Sequence, residues 1–260
     1  LLAIPVVLVI VHFFLPDGIQ NQLVFTYSES GVVTAWTSAY LHASNAHLFN
    51  NMFGYVIGAG FSYYLYIMYL QQRRGFWITV AILLVVTPFI TTVVDYAILY
   101  HHVGLLDAGA TSQGFSGIGS ALGGMLLTAI GLFVADEYNA IMGAHTALLI
   151  FLVALGILTV ANGFFTPTIA GLLIFGVGLL GTQYVSRSDL RRPSRLRSRL
   201  EQHAENIIQI VFYGAVVCIF VYLLLPIDVV QTGKFVNVLA HIVGFIVGTI
   251  GATGIAYHRS

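Results

Sequence analysis

Apolar residues run almost unbroken through eight stretches of the chain, at about 1–15, 47–70, 76–100, 115–134, 140–161, 167–185, 207–226 and 238–257, each bounded by polar, Gly or Pro residues. Most of them reach the roughly 20 residues that carry a helix across a bilayer. A helix satisfies all its backbone groups internally, which hydrocarbon demands, so the pattern predicts an all-α polytopic membrane protein with eight spans. Little chain remains for a separate soluble domain, and residues 1–260 are expected to form one membrane domain.

Composition agrees with the pattern. Of the 260 residues, 58% are hydrophobic and 8% charged, against roughly 25% charged in soluble domains. The formal net charge is zero, but its distribution is uneven. Arg73 and Arg74 lie between spans two and three, six arginines from Arg187 to Arg199 lie in the linker 186–206 between spans six and seven, and Arg259 follows span eight. By the positive-inside rule all three segments face the cytoplasm, and an even number of spans separates them. The opposite connections, at about 16–46, 101–114, 162–166 and 227–237, hold one basic residue, Lys234. The expectation is a multi-pass protein of the cell membrane with both termini cytoplasmic. The arginine-rich linker is first a topology signal and second a surface for anionic lipid; nucleic acid is not an expected partner. The single cysteine, Cys218, lies mid-span, which excludes a disulfide or a cysteine-based metal site within the chain. Leu1 to Leu15 has no basic flank or small-residue cleavage site, so it is expected to be part of a first helix rather than a cleaved leader.

Under this topology spans two, four and eight all run from outside to inside. His47, Asn51, Ser116 and His241 then fall within the first turn or two of their helices, at one depth near the outer face. Polar groups at membrane depth usually mark function. Ser116 begins its span and His241 lies about three residues into its own, a difference of about 5 Å along the helix axis that side chains can bridge. Gly244 and Gly248 form one stripe of small residues, and Ser120 and Gly124 another. Such stripes let membrane helices approach closely, which would bring a serine hydroxyl to an imidazole base. His47 and Asn51, four residues apart on one helix, share a face, whereas His42 falls in the preceding loop.

Three motifs stand in order: His42-x4-His47-x3-Asn51, Gly114-Phe115-Ser116-Gly117, and Ala240-His241-x-x-Gly244-x-x-x-Gly248. With them the chain resembles the rhomboid family of intramembrane serine proteases, over most of that family's six-helix core. The resemblance implies Ser116 as nucleophile and His241 as general base, a dyad with no third acid. It implies that His47, Asn51 and the Ser116 backbone N–H bind the oxyanion, with His42, Gly114, Gly117, Gly244 and Gly248 in support. No cofactor or metal is implied. Expected partners are the transmembrane helices of protein substrates, cut near the outer face; the oligomeric state is left open. The physics agrees, since a tetrahedral oxyanion needs preorganised donors, and an amide and an imidazole both donate.

The chain departs from the family pattern in three ways. Trp36-Thr37 replaces the Trp-Arg of many members. Ser120 stands where many carry an aromatic ring that packs on the catalytic histidine, so either another residue is expected to hold the imidazole or it is expected to be held less well. Three spans rather than one separate the serine and histidine helices, which preserves their shared direction.

Taken singly, each motif reads as helix packing, and His12 and His145 are expected to be hydrogen-bonded structural residues. His101-His102 lacks a third ligand and reads as external loop. No His-Glu-x-x-His of a zinc protease and no pair of intramembrane aspartates is present. Ile118 also breaks the Gly-x-Ser-x-Gly elbow of α/β-hydrolases. The rival function is an inactive rhomboid-like protein that binds transmembrane helices. A solute transporter should show internal repeats and intramembrane charges, yet only Asp95 lies well inside a span.

Overall fold

The computed structural model describes residues 1–29, 31–107, 109–184, 198, 201, 203–224, 230–231, 234–235 and 238–257. The six arginines from Arg187 to Arg199, and Arg259, lie outside them. The chain divides into two compact units, one of residues 1–126 with 223–260, the other of residues 127–222.

The first unit opens with α1 (Ala3–Phe14), α2 (Asp17–Leu23), β1 (Phe25–Thr26), α3 (Val32–Thr37) and a 3-10 turn (Ser38–Tyr40). Two long helices follow, α4 (Asn45–Met68) and α5 (Arg73–Asp95), the latter continued by a π-helical turn from Tyr96 to His102. β2 (Thr111–Ser112) leads into α6 (Ser116–Glu137), whose N-terminal half belongs to this unit. A short hairpin of β3 (Val230–Gln231) and β4 (Lys234–Phe235) precedes α10 (Val238–Tyr257). The second unit holds the rest of α6 with α7 (Ala140–Ala161), α8 (Pro167–Tyr184) and all but the last two residues of α9 (Ala204–Leu224).

The described residues are mostly helical. Five helices are long and apolar enough to cross a membrane: α5 with its π-helical extension, α6, α7, α9 and α10. α1 and α8 are apolar but shorter. α4 has the length, at 24 residues, but His47, Asn50 and Asn51 in its first two turns reduce its apolarity. Ser44 caps α4, its hydroxyl accepting the His47 N–H at 3.2 Å, and this fixes where the helix begins relative to His47.

α5 contains Pro88. Proline has no N–H, so the carbonyl four residues earlier, that of Leu84, loses its helical donor. The Tyr40 hydroxyl supplies the replacement at 2.7 Å. This bond satisfies a backbone group inside an apolar helix and fastens the end of the 3-10 turn to α5.

The connection at about 16–46, expected only as a loop, is built. β1 pairs antiparallel with β2. Phe25, Tyr27 and Ala35 form a small core with Phe89, Tyr96, Tyr100, Leu106 and Ala110. Thr92 Oγ1 donates to the Ala35 carbonyl at 3.2 Å, and Thr37 Oγ1 donates to that of Leu23 at 2.9 Å. His101 and His102 are exposed but lie in the helical extension of α5, not in a loop.

α10 packs antiparallel along α5: Ile255 approaches Gly75 near the start of α5, and Gly251 approaches Leu83. Against α6 the same helix is parallel, with Gly244 beside Gly117 and Gly248 beside Ala121.

Candidate functional site

Ser116 is the first residue of α6, and the chain leading to it is held at two points. Phe115 is fully buried, its ring edge-on to those of Tyr40 and Tyr55 at 5.7 and 5.8 Å between centroids. Gly114 donates its N–H to the Ser38 carbonyl at 3.0 Å. Gly114 also has φ +133°, a conformation that side chains rarely adopt. A Cβ there would lie 2.5 Å from His47 Cε1 and 2.8 Å from Nε2, so the His47 imidazole rests directly on the serine loop.

Asn51, one turn further along α4, is 5% exposed, and its Nδ2 has no hydrogen-bond partner among the described residues. A buried donor left unsatisfied is rare in native proteins and calls for an explanation. His42 lies in the loop before α4, as expected, and is buried between two other imidazoles. Its centroid is 5.2 Å from that of His47 and 6.3 Å from that of His12. Burial, with His47 and His12 close by, pushes the His42 imidazole down to about 3.

α10 brings His241 to the same end of α6. The two backbones touch: a Cβ at Gly244 would overlap the Gly117 carbonyl oxygen, and one at Gly248 that of Ala121. Gly124 meets the Phe245 carbonyl oxygen in the same way. The stripe on α6 is therefore Gly117, Ala121 and Gly124, not Ser120 and Gly124. Ser120 stands beside the stripe and is bonded across it, its Oγ 3.2 Å from His241 Nδ1, with both residues buried. The expectation that some residue other than Ser120 holds the imidazole is thus corrected: Ser120 itself is hydrogen-bonded to the ring. On the far side Thr91 of α5 closes against Gly117, 3.2 Å from the position of an added Cβ.

Ser116 itself is half-buried, and no hydrogen bond joins it to His241 among the described residues. It precedes Ser120 by four residues, so the two hydroxyls share a face of α6 one turn apart. Catalytic hydrogen bonds in substrate-free enzymes are often long and tighten when substrate binds. His47, for its part, lies within electrostatic range of His241. One end of the first unit therefore gathers a half-buried hydroxyl at a helix N-terminus, a buried imidazole, a second imidazole and a buried amide donor. The leading N–H groups of α6 have no intrahelical acceptors, and the positive end of the helix dipole favours negative charge there.

The remaining polar residues lie elsewhere. His12 Nε2 pairs with Asn45 Oδ1 at 2.8 Å. His145 lies in the second unit, and its Nδ1 lacks a hydrogen-bond partner among the described residues, so the expected structural bond is not seen at that atom. Cys218 is a half-buried free thiol. No group of three potential metal ligands occurs among the described residues. Sequence reasoning missed the role of Ser120, although a hydroxyl four residues after the serine on an apolar helix was an available signal. No protein-family model matches the chain, and no curated protein or solved structure does so either.

Proposed function

We propose that the chain is a rhomboid-type intramembrane serine endopeptidase that cuts a peptide bond in or near the transmembrane segment of another protein. The observation that carries this is the meeting of the N-terminal ends of α4, α6 and α10: His47 lies against Gly114, and His241 bonds to Ser120 one turn along α6 from Ser116. In the proposed reaction Ser116 Oγ bonds to the scissile carbonyl carbon while its proton passes to His241. The oxyanion takes its hydrogen bonds from the Asn51 amide, the His47 ring and the Ser116 N–H. The amine product leaves with the proton held by His241, and water then hydrolyses the acyl-enzyme by the same relay. The unused Nδ2 of Asn51 supports its assignment, because a donor reserved for an oxyanion has no partner until charge develops.

The accompanying topology has eight spans, both termini cytoplasmic and the serine open to the outer side, with anionic lipid at the Arg187–Arg199 linker. A substrate helix must unwind to present its bond, which favours segments containing Gly or Pro.

The competing reading is a non-cleaving protein that binds transmembrane helices, and the lack of a Ser116–His241 hydrogen bond is the observation in its favour. A model transmembrane substrate in proteoliposomes separates the two. The wild-type protein should cut it and label with a fluorophosphonate at Ser116, whereas Ser116→Ala and His241→Ala should do neither. Equal cleavage by wild type and Ser116→Ala removes the Ser116 mechanism.

A further inference from the structure

Helical hydroxyls in this protein usually bond to their own helix. Thr79 donates to the Gly75 carbonyl, Thr91 to that of Thr87, Thr249 to that of Phe245 and Thr253 to that of Thr249, all at 2.7–3.0 Å. That is the ordinary way for Ser and Thr to satisfy a hydroxyl in apolar surroundings. Thr92 reaches the Ala35 carbonyl of α3 instead, and Ser120 differs from all of these: it is 3% exposed and bonds to a side-chain ring on another helix, 121 residues away in sequence. The glycine contacts on either side hold the two backbones together, so neither partner can withdraw without opening the helix contact.

We propose that Ser120 is a positioning residue that fixes the orientation and tautomer of His241, completing a Ser116–His241–Ser120 arrangement in which a hydroxyl occupies the place that a carboxylate fills in many serine hydrolases. The role rests on the hydrolase reading given above. Nδ1–H donates to Ser120 Oγ, which leaves Nε2 unprotonated as the base. When Ser116 attacks, its proton moves to Nε2 as Oγ bonds to the carbonyl carbon and the carbonyl π electrons move to oxygen. That proton later passes to the leaving nitrogen as the C–N bond breaks, and the Nδ1 proton stays in place throughout. The hydrogen bond strengthens as the imidazolium forms, because a charged donor binds its acceptor more tightly than a neutral one. A neutral oxygen stabilises the imidazolium less than a carboxylate would, but it avoids burying a permanent charge at membrane depth.

The test uses the full-length protein in proteoliposomes with a cleavable transmembrane substrate, comparing wild type, Ser120→Ala, Ser120→Thr and Ser116→Ala. Ser120→Ala should lower kcat by about 10- to 100-fold, by analogy with loss of the partner that orients a metal-bound histidine, while KM stays within about twofold. The acidic limb of its kcat/KM profile should move to lower pH, because the imidazolium has lost an acceptor. Ser120→Thr, which keeps the hydroxyl, should recover most of the rate. In the 15N spectrum of labelled histidine, the proton on His241 should sit on Nδ1 in wild type and be shared between both nitrogens in Ser120→Ala. A Ser120→Ala enzyme with wild-type kcat and pH profile overturns the positioning role while leaving the hydrolase intact. Loss of activity in both Ser120 variants, with a lowered unfolding temperature, also overturns it by making the residue structural. A wild-type protein that neither cuts nor labels at Ser116 overturns both the hydrolase and the role of Ser120 within it.

Discussion

Gly248 of α10 lies against the carbonyl oxygen of Ala121 of α6, so close that a methyl group at position 248 would overlap it. No flexible side chain stands between the two helices to absorb the intrusion. Gly248→Ala should therefore force them apart and draw His241 away from Ser120. Overpacking of this kind typically destabilises by about 1–3 kcal/mol. The expected outcome is a lowered unfolding temperature in detergent together with loss of fluorophosphonate labelling at Ser116. Gly60→Ala is the control, since an added Cβ there meets nothing within 4 Å. Equal behaviour of the two variants would contradict the packing argument.

Gly114 carries two constraints, its positive φ and the His47 ring beside it. Gly114→Ala should incur about 1–3 kcal/mol of backbone strain and displace His47 as well. Activity should therefore fall more steeply than stability. Parallel measurement of kcat/KM and of the unfolding temperature checks this, and a proportional fall in both would count against the proposed role of His47.

Asn51 offers the opposite separation. Its Nδ2 is buried without a hydrogen-bond partner among the described residues, so Asn51→Ala removes an unsatisfied group and should leave stability unchanged or slightly raised. If Asn51 has the proposed oxyanion role, losing it should still lower kcat by about 100- to 1000-fold. Thermal unfolding and steady-state kinetics on the same preparation test the two halves of the prediction together.

His42 gives the fold an acid limit. Its imidazole is pushed from 6.5 down to about 3 by burial and by its two histidine neighbours. The unfolded chain therefore binds a proton between these values while the folded protein does not. Stability linked to His42 is fully present above pH 6.5 and is lost as pH falls toward 3, with a slope of up to about 1.4 kcal/mol per pH unit. His42→Gln should flatten that slope in denaturation midpoints measured across the acid range, and an unchanged slope would reject the assignment.

The long helices could be read from the chain because hydrocarbon imposes one simple requirement, about 20 apolar residues in a row. α5, α6, α7, α9 and α10 meet it. α4 shows where the rule weakens, because His47 and Asn51 reduce apolarity at the positions that make the helix interesting. The connection from Pro16 to Ala46 was opaque for a different reason. Its two-residue strand and short helix are held by contacts with distant segments, such as Tyr40 with the Leu84 carbonyl and Phe25 opposite Ser112, and local sequence does not encode these partners. Within the site, the residue types and their order pointed to Ser116, His241, His47 and Asn51. The bond between Ser120 and His241 was hidden, because a serine in a glycine-rich run reads first as a spacer.

The enclosure of Phe115 by Tyr40 and Tyr55 has a mechanical consequence. With a fully buried ring immediately ahead of it, Ser116 is anchored to the scaffold. On the proposed reading a substrate chain then travels to the serine, and the widening that admits it comes from segments other than the loop that carries the hydroxyl.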